Sequence, residues 1–482
     1  MARVFAKHGD DVDVTIIVTK ANAAVINKNI DGDFNAGRHH NIRTHVLPFP
    51  SAEVGLPEGI ESFSSENSDE TNAAIHQAQL LLRKPMEQVF YDMRPDCIVA
   101  DLFYPWTLEV ANQLGIPRLA FRGGSYFSLC AEHSVRLHYN SSSSNSHDND
   151  DVVSLLGLPH KIEMLTSQLP EWSKTTTSFT AIMDRLRETE EKSYGILMNS
   201  FHELESAYEE HYKTTMGLKA WSIGPVCFWA NRDSSHKAHH RFKSVADGDD
   251  NDHHHHELMD WLNSKQKNSV VYVSFGSGTK LSAAQIKELA HGLETSGHPF
   301  IWVVRKEAEQ ALTPEGFEER IRTESNNRGL IIKGWAPQLL ILDHPATGGM
   351  VTHCGWNSIL EGVNAGLPMI TWPVFAEQFY NEKLVKDVLR IGIGVGVKQW
   401  NDLGKVPKEV VKSEDISKAV RFLMATHDEY DGERAGNNNK EMRMRVSKLQ
   451  NQAKMALEIG GSSHANLMAL IHDLNSLKSM RN

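Results

Sequence analysis

Between Trp335 and Gln378 the chain gathers a dense set of side chains able to do chemistry. Val351-Thr352-His353 reads as a strand end, and Gly355-Trp356-Asn357-Ser358 as the first turn of a helix running on through Ile359-Leu360-Glu361. The first N–H groups of a helix have no partner inside it and carry the positive end of its dipole, so this start is an anion site. A diphosphate could rest on those donors, with the His353 imidazole and the Asn357 and Ser358 side chains adding hydrogen bonds, and neither a metal nor a basic cluster is required. Trp335 offers a flat apolar face, while Gln338 and the backbone of Ala336 offer donors and acceptors beside it. Glu361 can accept two hydrogen bonds from neighbouring hydroxyls, as an ionised carboxylate does well. Glu377 and Gln378 bring further acceptors and donors. Each also has a plainer reading alone: the Trp as core, the His as structural, Asn-Ser as a helix cap.

These residues need a scaffold, and the surrounding pattern supplies one. Short β-branched runs alternate with longer amphipathic stretches, as strands do with crossover helices. In the first half, strands are predicted over 12–18, 44–49, 97–103, 118–121, 195–199 and 221–226. Helices are predicted over 72–90, 106–114 and 204–216, the last two stopped at Gly115 and Gly217. The alternation restarts near Glu257, with a helix over 259–262, strands over 270–275, 300–304, 329–333, 349–353 and 367–372, and a helix over 283–293. Both halves read as doubly wound parallel sheets. Between them, Ser234 to His256 holds four aspartates and seven histidines, too polar to pack a core, and is predicted to be an exposed linker. Its run His253 to His256 is not expected to form a specific metal site, because consecutive residues do not converge on one ion. Ser141 to Asp151 is a second polar insertion.

Lys and Arg number 50 against 61 Asp and Glu, a formal charge of −11, which argues against nucleic acid or anionic lipid as a partner. The four cysteines, Cys97, Cys130, Cys227 and Cys354, are too few and too scattered for a disulfide framework or paired metal ligands. No window approaches the roughly 18 to 20 apolar residues of a membrane span, and the start lacks a signal peptide's apolar stretch. A cytoplasmic, monomeric protein without metal or cofactor is expected.

The stretch from Trp335 to Gln378 resembles, at its full length of 44 residues, the donor-binding box of plant UDP-dependent glycosyltransferases of secondary metabolism, the family 1 glycosyltransferases. The likeness extends through Val273-Ser274-Phe275-Gly276-Ser277 to Gly460-Gly461-Ser462-Ser463. Thr44-His45-Val46 and Trp221-Ser222-Ile223-Gly224-Pro225 look most like the subgroup acting on triterpenes and saponins. The resemblance implies a GT-B fold, two Rossmann-like α/β domains facing across a cleft: residues 1–233 binding the acceptor, the linker 234–256, residues 257–464 binding UDP-sugar, and a final helix in 465–482 returning to the first domain. It implies an inverting hexosyltransferase moving a sugar from UDP-sugar to a hydroxyl of a small hydrophobic metabolite such as a triterpenoid, saponin or flavonoid. It further implies uracil stacking on Trp335 beside Ala336 and Gln338, and ribose on Glu361. The phosphates fall to Ser277, His353, Gly355, Asn357 and Ser358, and the hexose to Glu377 and Gln378 with Trp356 at its far edge. Gln378 favours glucose, whereas galactose-using relatives often carry histidine there.

Transfer also needs a base for the acceptor hydroxyl. By resemblance this is a histidine in the loop after the opening strand, oriented by an aspartate that matches Asp101. The chain opens instead with what reads as the end of a helix, Met1 to Lys7, stopped by His8-Gly9. The opening strand and the base histidine are therefore expected to be absent, and His8 is not assigned to the role. A catalytically inactive paralogue that binds nucleotide sugar is the alternative. A nicotinamide-dependent oxidoreductase is disfavoured, since no G-x-G-x-x-G follows a strand with a suitably placed acid.

Overall fold

The computed structural model describes residues 1–8, 12–35, 41–63, 67–142, 151–175, 177–231, 250–305, 316–324, 327–425 and 433–481. Fourteen strands are found among them: β1 (Val14–Thr19), β2 (Ile42–Leu47), β3 (Ile98–Asp101), β4 (Arg118–Arg122), β5 (Val152–Leu155), β6 (Ile162–Leu165), β7 (Gly195–Met198), β8 (Ala220–Ser222), β9 (Val270–Ser274), β10 (Phe300–Val304), β11 (Gly329–Lys333), β12 (Thr347–Thr352), β13 (Met369–Thr371) and β14 (Gly392–Gly394). The second half forms one six-stranded sheet in the order β11-β10-β9-β12-β13-β14, every pair parallel. Its strands are near-continuous apolar runs because helices cover both faces; Val270, Val271, Ile301, Val351 and Met369 are at most 1% exposed.

In the first half the expected single sheet is parted. β3, β4, β7 and β8 pair in that order, all parallel, whereas β1 and β2 form a separate parallel pair from Val14 opposite Ile42 to Thr19 opposite Leu47. Among the described residues no ladder joins β1 to β3, so each keeps one edge without a strand neighbour. The consequence is visible in burial, since Val99 on β3 is 39% exposed. The buried Arg118 secures the end of β3. Its Nε donates to Thr107 Oγ1 (2.8 Å), its Nη1 to Ser193 Oγ (2.7 Å) and its Nη2 to the carbonyl of Asp101 (3.3 Å). A guanidinium held by three acceptors is tolerated in a core that an unpaired one would disrupt.

Three local expectations are corrected. The helix predicted over 72–90 is two helices, Asp69–Leu81 and Arg83–Met93. Pro85 lacks an N–H and crowds the carbonyl four residues earlier, so the chain breaks just before it. The linker's last seven residues are helical, because Asp250–Asn263 is one helix, propagated from the buried stripe Leu258, Trp261 and Leu262. An antiparallel hairpin, β5 with β6, was not anticipated; its four-residue strands are too short for a clear period-2 signal. The rest of the linker, 234–249, and most of the second insertion, 143–150, lie outside the described residues.

The C-terminal helix Ser462–Arg481 packs on the first-half sheet. Leu467 and Leu470 bury against Val4, Phe5, Leu119, Leu197 and Trp221, while Ser463 Oγ donates to the Gly224 carbonyl (2.6 Å) and Lys219 Nζ pairs with Asp473 (3.0 Å). No described helix is long and apolar enough to cross a membrane. Leu467 has no exposed surface, so Leu467→Ala is expected to destabilise the chain by about 3 kcal/mol in urea denaturation, with the loss appearing first in the fluorescence of Trp221 beneath it.

Candidate functional site

In the second-half sheet β9 is the first strand in sequence but lies inside, with β10 and β11 to one side and β12 to β14 to the other. Strand order therefore reverses between β9 and β12, and the loops leaving their carboxyl ends part to open a crevice, the place where doubly wound sheets bind ligands. The loop after β9 carries Gly276 and Ser277, and the loop after β12 carries His353 and Gly355. The expected phosphate residues thus converge from positions some 75 residues apart in sequence.

The helix after β12 runs Trp356–Ala365, with Gly355 at its N-cap and no side chain closing the cap. Its first internal bond is Ile359 N–H to the Gly355 carbonyl (3.1 Å), so the N–H groups of Trp356, Asn357 and Ser358 face outward. The turn needs Cys354 at φ +64°, held by its N–H on Thr352 Oγ1 (3.2 Å). His353 is wedged between two glycines. A Cβ on Gly276 would stand 2.7 Å from the imidazole Cε1, and one on Gly355 2.5 Å from Nε2. Burial pushes the imidazole down to about 4, which keeps it neutral at physiological pH, and its Nδ1 has no partner among the described residues. A buried polar atom in that state is one that a water or a ligand would satisfy.

Trp335 is 76% exposed, a bare indole at the rim. The Gln338 side chain, expected to face a base edge, is largely engaged elsewhere. Its Oε1 accepts from the Tyr272 hydroxyl (3.0 Å) and its Nε2 donates to Glu361 Oε2. Gln338 thus orients Glu361, leaving Glu361 Oε1 for a ligand, and burial raises the Glu361 carboxyl above its ordinary value. The Ala336 carbonyl accepts Gln338 N–H (2.8 Å).

Gln378 is buried, and its Oε1 accepts the N–H groups of Val374 (2.9 Å) and Phe375 (3.0 Å). The loop is thereby fixed and only the amide NH2 remains to address a sugar. Burial raises the adjacent Glu377 carboxyl, an effect opposed by the charge of Arg122 from the end of β4. Asp101 ends β3 as expected, exposed, with Oδ1 accepting Phe103 N–H (3.0 Å). Among the described residues no histidine hydrogen-bonds to it, and the His8 side chain lies outside them. No described group of three or more His, Cys, Asp or Glu could hold a metal ion.

The two halves meet directly at this crevice. Ser125 Oγ donates to Asn381 Oδ1 (2.8 Å), and Asn381 Nδ2 to the Cys354 carbonyl (3.0 Å). Asn199, after β7, accepts Trp356 Nε1 on its carbonyl (2.7 Å) and donates its Nδ2 to Asn357 (3.2 Å). The Trp356 indole is thereby engaged in the seam between the halves. Tyr272, Asn199 and Asn381 were not singled out from sequence. For Asn199 a signal existed: it is a polar residue at the carboxyl end of an apolar run, as Asp101 is.

Because the folded protein keeps His353 neutral down to about pH 4 while the ordinary imidazole titrates at 6.5, the unfolded chain binds a proton the folded one refuses in that interval. The His353 contribution is complete above pH 6.5 and is lost as pH falls toward 4. Urea midpoints measured across this window are expected to fall less steeply for His353→Gln than for the parent.

A family model described as UDP-glucoronosyl and UDP-glucosyl transferase matches residues 236–430. The chain is 48% identical to a soyasapogenol B glucuronide galactosyltransferase of Glycine max, over 99% of this chain and 92% of that protein. It is 43% identical to a nuatigenin 3-beta-glucosyltransferase of Solanum aculeatissimum, over 100% and 94%. Among solved structures, Glycyrrhiza uralensis UGT73P12, complexed with glycyrrhetinic acid 3-O-monoglucuronide, superposes with a TM-score of 0.88 at 46% identity, covering 100% of this chain and 93% of that one. The α/β architecture is accordingly a GT-B fold, and with whole-length relatives at this level of identity the chain belongs to the plant family 1 UDP-glycosyltransferases.

Proposed function

We propose that this hexosyltransferase binds UDP-sugar, preferentially UDP-glucose, in the β9/β12 crevice and moves the hexose, with inversion, to a hydroxyl of a small hydrophobic metabolite of the triterpenoid, saponin or flavonoid kind. The observation that carries the reading is the uncapped start of the Trp356–Ala365 helix beside the orphaned His353 Nδ1. The diphosphate lies on the N–H groups of residues 356–358, with Ser277 and Ser358 at its flanks. As the anomeric carbon is attacked, negative charge grows on the departing UDP, and donors fixed in advance stabilise it without reorganising. The neutral imidazole adds a hydrogen bond but no charge. Uracil stacks on Trp335 with the Ala336 backbone at its edge, the ribose hydroxyls donate to Glu361, and Glu377 and the Gln378 amide read the hexose hydroxyls. The relatives named for soyasapogenol B glucuronide and nuatigenin support an acceptor of the triterpenoid or saponin kind. The first of them transfers galactose, so the preference for glucose rests on Gln378.

The acceptor hydroxyl must lose its proton as it attacks. Asp101 is suited to orient a base but has no histidine bonded to it among the described residues, and one oxygen holds the local turn. That observation favours a second reading, binding of nucleotide sugar with little turnover by the 482-residue chain.

By calorimetry UDP is expected to bind, and Trp335→Ala and Glu361→Ala are each expected to weaken it about tenfold or more. Unchanged affinity in both variants would overturn the donor site. Sugar transfer is then measured with the parent chain and with Asp101→Asn. The substitution is expected to lower the rate about a hundredfold or more; equal rates would remove Asp101 from the mechanism, and UDP binding without transfer by the parent would favour the second reading. A panel of aglycones with UDP-glucose, UDP-galactose and UDP-glucuronate identifies the sugar.

A further inference from the structure

We propose that Asn199, in the first half of the chain, is a positioning residue for the diphosphate: it fixes which end of the Asn357 amide faces the ligand. The inference rests on the donor-site reading above and concerns a residue outside the donor-binding box. Asn199 is 6% exposed, at the end of β7, and every polar atom of its side chain is committed. Its Oδ1 accepts the backbone N–H of Val226 (2.9 Å). That N–H can only donate, so the Asn199 amide has one admissible orientation, with its NH2 turned to the Trp356–Ala365 helix. There Nδ2 donates to Asn357 Oδ1 (3.2 Å).

The same logic passes one step further. With its oxygen held by a donor, Asn357 must present its NH2 on the opposite side of a planar amide. It stands at the second position of a helix whose leading N–H groups are uncapped, and it is exposed. Without the relay the Asn357 amide could turn by half a revolution and set a carbonyl oxygen against an anion. The packing is built around this chain of bonds. A Cβ on Gly224 would lie 2.8 Å from Asn199 Oδ1, so only glycine admits the loop that brings Val226 to it. The Asn199 carbonyl receives Trp356 Nε1 (2.7 Å), which holds the helix start in register with the donor. A residue of the acceptor-side sheet thereby sets the polarity of the donor-side anion site.

The test is a double-mutant cycle on the full chain, read by calorimetry with UDP and with uridine. Asn199→Ser keeps an oxygen for Val226 but is too short to reach Asn357; Asn199→Ala is the second variant, and thermal melting checks that each is folded. Asn199→Ser is expected to weaken UDP about fivefold to tenfold, to leave uridine unchanged, and to cost less than about twofold when Asn357 is already alanine. An equal loss in both backgrounds, or an equal loss for uridine, would overturn the relay in favour of a packing role, as would unchanged UDP affinity in Asn199→Ser and Asn199→Ala. If Asn357→Ala itself leaves UDP affinity unchanged, the donor-site reading falls, and the relay with it. A loss in Asn357→Ala but none at Asn199 sinks the relay alone.

Discussion

The reversal of strand order between β9 and β12 is the constraint on which the rest of the molecule turns. Crossovers that run outward on both sides of β9 leave the loops at its carboxyl end and at that of β12 without a helix over them. Backbone donors there are not consumed by the sheet or by a cap, so peptide dipoles give the start of the Trp356–Ala365 helix a positive potential. This is compatible with a chain of formal charge −11 that nevertheless handles a diphosphate. It also explains the glycines beside His353. A side chain at Gly276 or Gly355 would occupy the space of the imidazole, and the crevice would close.

Around that opening, the protein organises side-chain amides so that none is ambiguous. Gln338 is read from both ends by Tyr272 and Glu361, Gln378 by two backbone N–H groups, and Asn381 by Ser125 and a backbone carbonyl. An amide whose oxygen is pinned presents only donors to the crevice, which suits phosphate and sugar oxygens. Holding the oxygen of each amide lowers the cost of burying it, since an unpaired polar group in a low-dielectric interior is expensive. Further from the crevice, the buried Glu205 follows the same rule. It accepts Phe127 N–H (2.9 Å) and Ser200 Oγ (2.6 Å) at the start of the helix Tyr126–Ser142, with burial raising its carboxyl to about 7.

Much of this was legible residue by residue. The strands over 300–304 and 329–333 fall where their apolar runs predict; the first, inside the sheet and buried along most of its length, leaves an unmistakable run of Phe, Ile, Trp and Val. The Trp356 helix and its uncapped start follow from the glycine and the polar turn after a strand. What was not legible was local competition: Pro85 breaking one helix, the polar run at 250–256 joining another, and the short hairpin of β5 and β6.

The sequence by itself determined the fold class, the family and which side chains are candidates for a donor crevice, because hydrophobic period and motif spacing are properties of the linear chain. Only the tertiary structure decided how those side chains are used. Gln338 serves Glu361 more than a base, Gln378 gives its oxygen to its own loop, and Asn199 reaches Asn357 from 158 positions away. It also decided that β1 and β2 stand apart from β3. Hydrogen-bond direction and strand pairing depend on which groups meet in space, and partners so distant in the chain leave no trace in the spacing of either one.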